Sequence, residues 1–260
     1  MRAIAITNQK GGSGKTTSTV NIAAALAEKG HRVLVIDLDP QASASAWFGV
    51  KEEEQGLLTV FTDNVPLYRV IHDTETERVE VIPASNWLSR LERLIAGEPG
   101  SELILRDAVA AMIQNYQNRW DFILFDCPPA LGLLSTSALC AASEVVIPVE
   151  ASAMAMAGVG ELMKTIQVVR ERLNERLRVT ALIVCRTDSR NNLSKEVEES
   201  LRGHFQGLVT ETTIRETVKL REAWSFSEPI TSYDPKGLGA QDYRAVAEEL
   251  LQKGESSGEE

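Results

Sequence analysis

The chain has 260 residues, 43% of them hydrophobic and 25% charged, and its net charge is −10. That is enough apolar material for one large core, and it argues against a protein coated in positive charge without excluding a local basic face. No apolar run is long enough to span a bilayer. The first residues lead straight into a strand pattern rather than a signal peptide, so a cytoplasmic protein is expected. Cys127, Cys140 and Cys185 lack metal-ligand spacing and read as small buried apolar residues in a reducing compartment.

In chain order, short apolar runs alternate with helical patterns. Strands are expected over 2–7, 32–36, 79–83, 121–125, 145–148 and 179–184, with a weaker seventh at 208–210. Helices are expected over about 15–29, 101–116, 132–142, 158–176, 192–205 and 238–252. Continuous β-branched runs belong to strands buried on both faces, and the alternation belongs to a doubly wound, mostly parallel α/β sheet flanked by helices. With no repeat and no linker, residues 1–253 read as a single domain. Residues 254–260 read as a short, frayed acidic tail.

The first loop carries the strongest signal. Ile4-Ala5-Ile6 precedes Asn8-Gln9-Lys10-Gly11-Gly12-Ser13-Gly14-Lys15-Thr16-Thr17, and an Ala-rich helical run follows. Strand, glycine loop and helix form the setting of a phosphate cradle. Its glycines let backbone N–H groups turn toward an anion, and the helix N-terminus adds its positive end. Lys15 can reach the β- and γ-phosphates of a nucleotide, and the Thr16 hydroxyl can ligate Mg²⁺. In a doubly wound sheet, two further segments converge on the same end. Asp37-Leu38-Asp39 places two carboxylates at a strand end; one can orient or deprotonate a water while the other supports Mg²⁺ or the loop. Phe122 to Asp126 is an apolar run closed by an Asp suited to Mg²⁺ or one of its waters. Pro128-Pro129 then makes a rigid exit loop near the γ-phosphate. Cys127 has no histidine near it in sequence and reads as packing rather than nucleophile.

Gln9 stands where the generic loop has glycine, with Lys10 beside it. The form Lys10-Gly11-Gly12-Ser13-Gly14-Lys15-Thr16-Thr17 resembles the deviant Walker A motif of the ParA/MinD family of P-loop ATPases. The similarity extends from about residue 2 to 252, through Asp37–Gln41, Asp126–Pro129, Ala223–Pro229 and Tyr233–Lys236. It is nearest to small ParA (Soj-like) partition ATPases. The resemblance implies ATP and Mg²⁺ as cofactors, held by Lys10, Gly11, Gly12, Ser13, Gly14, Lys15, Thr16, Thr17, Asp37, Asp126 and Pro128. It further implies a Mg²⁺ set of Thr16, Asp39 and Asp126, and hydrolysis by Asp39 with Lys15 and Lys10. Lys10 is expected to cross a dimer interface to the partner's nucleotide, so that ATP binding closes a homodimer.

Such proteins bind duplex DNA without sequence preference. Residues 161–221 hold 12 basic and 9 acidic side chains, against a deficit of 13 positive charges in the rest of the chain. The resemblance assigns DNA contact to Arg190 and Lys219, with Arg186, Lys195, Arg202, Arg215 and Arg221 as weaker candidates. Three departures stand out. Glu216 is an acid where the family has a base, Trp224 replaces a proline, and residues 150–158 lack the usual aromatics.

The implied function is an ATPase switch that binds the nucleoid and segregates chromosome or plasmid DNA with a ParB-like partner that stimulates hydrolysis. Alternatives are a positioning ATPase for another cargo, such as a carboxysome, chemoreceptor cluster or conjugative element, and a MinD-like membrane switch. The acidic end of the chain disfavours the latter. Cysteine placement disfavours a redox ATPase like the nitrogenase iron protein, and the lack of a Tyr-rich tail disfavours a kinase.

Overall fold

A computed structural model describes residues 1–50, 56–95, 97–152, 154–188 and 191–255. The first strand, β1 (Arg2–Ile6), feeds the glycine loop and then α1 (Lys15–Glu28). β2 (Val33–Asp37) leads into α2 (Ser43–Trp47) and α3 (Gly56–Thr62). A two-residue strand β3 (His72–Asp73) precedes β4 (Val79–Ile82), α4 (Leu91–Leu94) and α5 (Ile104–Asn115). Next come β5 (Phe122–Asp126), α6 (Leu133–Ala141), β6 (Glu144–Glu150), α7 (Ala155–Arg172) and β7 (Arg178–Thr187). The chain continues through α8 (Asn192–His204), β8 (Ile214–Arg215), α9 (Val218–Ser225), α10 (Ile230–Tyr233) and α11 (Leu238–Glu255).

The strands form one eight-stranded sheet in the order β3-β4-β2-β5-β1-β6-β7-β8, parallel except for β3 against β4. Alternate residues divide between its faces, as the two-residue strand period requires. Ile4, Ile6, Val33, Val35, Leu124 and Val146 pack with residues of α1 and α11. Ala3, Ala5, Leu34, Ile36, Ile123 and Phe125 pack on the other side with residues of α3, α5, α6 and α7. Each fully buried aliphatic side chain contributes about 1.5–3 kcal/mol of transfer free energy. Eleven of the fourteen α1 residues are buried, which explains its run of alanines: the helix lies between the sheet and α11, where little side-chain volume fits.

Three differences from the sequence-based expectations have physical causes. Residues 208–210 make only an isolated bridge, Leu182 to Val209, and the edge strand is Ile214–Arg215 instead. The antiparallel β3 is two residues long, too short for any period to show. α11 runs two residues into the stretch expected as a tail, and 256–260 lie outside the described residues.

At the opposite end of the sheet from the glycine loop, Glu144 is buried and bound on both oxygens by Arg2, at 2.8 and 2.7 Å. The Thr180 hydroxyl donates to it at 2.7 Å, and Arg178 lies 3.5 Å away. Burial works to raise this carboxyl's pKa, but these partners outweigh it and hold it below the ordinary glutamate range. Glu144→Ala removes one side of a largely buried pair, and should lower unfolding free energy by about 3 kcal/mol in urea titrations. An unchanged midpoint would show that the pair adds nothing.

Candidate nucleotide site

The sheet order makes the site. β1 lies between β5 and β6, so the chain winds away from it in both directions and leaves a crevice beyond the strand ends. The glycine loop leaves β1 at that crevice. Gly12 and Gly14 have φ of 73° and 93°, the left-handed region open to glycine, and Gly14 is the residue from which α1 starts. No side chain caps α1 and no acid lies in its first turn, so its leading N–H groups remain available to an anion. Asn8 steadies the loop: its amide donates to the Pro148 carbonyl at 2.7 Å, and its oxygen accepts from the Lys10 N–H at 3.0 Å.

A cavity of about 620 Å³ opens above this loop. Gly11, Gly12, Gly14, Lys15, Thr16 and Thr17 form its floor, with Asp39 and Pro129 beside them. A Cβ placed on Gly11 or Gly12 would meet nothing within 4 Å, so the space over the cradle is open. Among the described residues the Lys15 ammonium donates only a long bond, 3.3 Å to the Lys10 carbonyl. Burial lowers its pKa, against the opposing charges of Asp126 and Asp39. A largely buried cation with so little to bind, facing an uncapped helix end, fits a polyphosphate.

The carboxylates are arranged behind it. Asp37 and Asp126 are register partners on adjacent strands, and both are fully buried. Asp126 accepts the Thr16 hydroxyl at 2.8 Å and the Thr19 hydroxyl at 3.1 Å. Burial, together with the neighbouring charge of Asp37, holds its pKa well above the usual carboxylate range. Burial likewise pushes Asp37 up to about 6, against hydrogen bonds from Ser45 and Asp39. Asp37 accepts the Ser45 N–H and hydroxyl at 2.9 and 2.7 Å and the Asp39 N–H at 3.1 Å. Its oxygens are thus engaged in fixing the loop that carries Asp39, rather than turned into the cavity. Asp39 lines the cavity and accepts the Gln41 N–H at 3.0 Å. Thr16 and Asp126 are hydrogen-bonded oxygen donors that could hold magnesium, and Asp39 lines the same cavity as Thr16.

Several expected site residues are placed differently from one another. Pro129 faces the cavity, whereas Pro128 is buried and its carbonyl accepts from Ser135 at 3.4 Å. Ser13 is fully buried, and its hydroxyl has no partner among the described residues. Lys10 is absent from the described cavity lining; its ammonium sits on Glu150 and, at 3.0 Å, on Ser152. Burial raises the Cys127 thiol far above its ordinary range, so it stays protonated and is no nucleophile.

The far wall was not legible as part of the site. Thr217, Leu220, Arg221 and Trp224 all line the cavity, and their i, i+3, i+4, i+7 spacing is one face of α9. That spacing was the available signal. Arg215 also reaches the lining, but its guanidinium is bound to Asp242.

A family model described as an AAA domain matches residues 1–179. Soj of Bacillus subtilis, a sporulation initiation inhibitor protein, is 39% identical over 97% of this chain and 99% of its own length. The chain belongs to the ParA/Soj family of P-loop ATPases. Another member, the chromosome partitioning protein ParA of Myxococcus xanthus, is 37% identical over 97% of this chain and 88% of its own. Among solved structures, a cobyrinic acid a,c-diamide synthase from Mycobacterium smegmatis with bound ADP and magnesium superposes with a TM-score of 0.85. It is 29% identical and covers 99% of this chain and 96% of that one.

Proposed function

We propose that this chain is an ATP-dependent dimerising switch that binds DNA without sequence preference and segregates chromosome or plasmid DNA with a ParB-like partner. The observation that carries the reading is the position of Lys10. Its neighbour in function, Lys15, already serves the cradle, while the Lys10 ammonium is held at the rim by Glu150 and Ser152. A cation in that place can serve a nucleotide across an interface, and this couples association to the presence of the γ-phosphate. Mg²⁺, when bound, neutralises charge on the β- and γ-phosphates. Thr16 is oriented for it by Asp126, and Asp39 is aimed at the cavity by the grip of Asp37 on its backbone.

Support for a DNA face is local. Lys219 is more than half exposed on α9, paired to Glu222 at 2.8 Å and placed over the Tyr233 ring. Arg190 lies outside the described residues. Several weaker candidates are committed within the chain. Arg186 pairs with Glu150 and Glu216, Arg202 with Glu198 and Arg215 with Asp242, while Arg221 lines the cavity. The basic surplus of residues 161–221 therefore overstates the free cations. In this reading the protein acts in the cytoplasm on the nucleoid. Among the described residues no helix is long and apolar enough to cross a membrane.

The test is sedimentation and DNA binding with ATP. ATP should convert monomer to dimer in the parent protein but not in Lys10→Ala. Duplex DNA should bind with ATP and release with ADP, and Lys219→Glu should weaken that binding by about tenfold through lost phosphate contact. A monomer that persists in saturating ATP, or DNA binding indifferent to nucleotide, would overturn the switch.

A further inference from the structure

The cavity has two ends of different chemistry. Its loop end is polar and cationic; its α9 end carries Ile214, Leu220 and Trp224. From Thr217 to Trp224 the helix face advances about 10 Å along the wall. We propose that Trp224 is the residue that holds the nucleobase, by stacking its indole on a purine whose phosphates occupy the glycine loop. This rests on the reading of the cavity as a nucleotide site and names a positioning residue within it.

Three aromatic residues line the cavity, and two are already committed. Trp47 is buried, and its indole N–H donates to the Glu228 carbonyl at 2.8 Å. Tyr243 is buried with its hydroxyl 3.4 Å from that of Ser18. Trp224 is 51% exposed, and among the described residues no ring or cation stacks on it. Trp87 and Trp120, the remaining tryptophans, carry Arg90 and Arg119 over their rings and lie away from the cavity. So large an apolar side chain left open on a cavity wall gains by being covered with a flat ring. The position is also rigid. Thr217 caps α9 by accepting the Leu220 N–H at 3.2 Å, and the buried Ala223 anchors the turn that carries Trp224.

Stacking favours ring area over edge pattern, so Trp224 supplies affinity for purines and does not itself tell adenine from guanine.

The experiment compares Mg²⁺-ATP, Mg²⁺-CTP and Mg²⁺-tripolyphosphate binding by calorimetry in the parent chain, Trp224→Ala and Trp224→Phe. Stacking on an aromatic side chain is worth enough that Trp224→Ala should weaken ATP binding by about tenfold or more. It should weaken CTP binding less and leave tripolyphosphate binding unchanged, and Trp224→Phe should retain most of the parent affinity for ATP. ATP should quench tryptophan emission in the parent but not in Trp224→Phe. Parent-like ATP affinity in a folded Trp224→Ala overturns the inference, as does an equal loss of ATP and tripolyphosphate binding. A parent chain that binds none of the three overturns the nucleotide reading itself, and the inference with it.

Discussion

Lys15→Ala should abolish ATP binding at concentrations that saturate the parent protein. The lysine occupies the floor of the cavity, largely buried and with one long hydrogen bond, so the anion is the partner it lacks. A charge-assisted hydrogen bond is worth about 1.5–3 kcal/mol, and loss of two such bonds to phosphate oxygens gives at least about a 100-fold drop in affinity. Dimerisation and DNA binding, if driven by ATP, fall with it. Lys15→Arg should not restore binding. The guanidinium is a broad planar fork rather than a compact point charge, so it cannot place its donors where the ammonium does. Calorimetric titration with Mg²⁺-ATP checks both variants, and thermal unfolding separates lost binding from lost fold. Unaltered affinity in a folded Lys15→Ala would refute the phosphate cradle.

What could be read from the sequence was local, and what could not was long-range. β1, the glycine loop and α1 follow one another within 28 residues, so their chemistry is contiguous in the chain. The central strands show because they are buried on both faces and leave unbroken apolar runs. α2, α10, β3 and β8 are two to five residues long and pack through neighbours rather than through a period of their own. The site divides in the same way. Asp39 and Asp126 stand at recognisable strand ends, but Asp37 turning to Ser45 depends on α2 folding back over β2. Lys10 is plain as a second lysine, yet its seat on Glu150 joins residues 140 apart. Arg215 counted toward a basic surface until Asp242, on a helix 27 residues later, claimed it. Charge totals describe a segment, whereas ion pairs describe a fold, and only the second says which cations remain for DNA.

Asp39→Ala should leave ATP binding and ATP-dependent dimerisation intact while hydrolysis falls by about 100-fold or more, the range for losing a positioned general base or water-orienting group. The carboxylate lines the cavity beside Lys15 and Thr16, and it is held there from behind, since Asp37 accepts the Asp39 N–H. Its own oxygen accepts the Gln41 N–H, a turn that alanine would also loosen. Asp39→Asn separates the two roles. Asparagine can keep the turn through its amide oxygen but cannot take a proton from water. If both variants lose turnover while binding ATP normally, the carboxylate's charge and basicity are what hydrolysis requires. If Asp39→Asn hydrolyses like the parent, Asp39 serves the turn and the attacking water must be handled elsewhere. A metal role would show as a raised Mg²⁺ requirement in both variants, with turnover recovered at high Mg²⁺. With Asp39 as the hydrolytic group, excess Mg²⁺ restores nothing, and the folded, ATP-loaded dimer persists because the step that would release it has been removed.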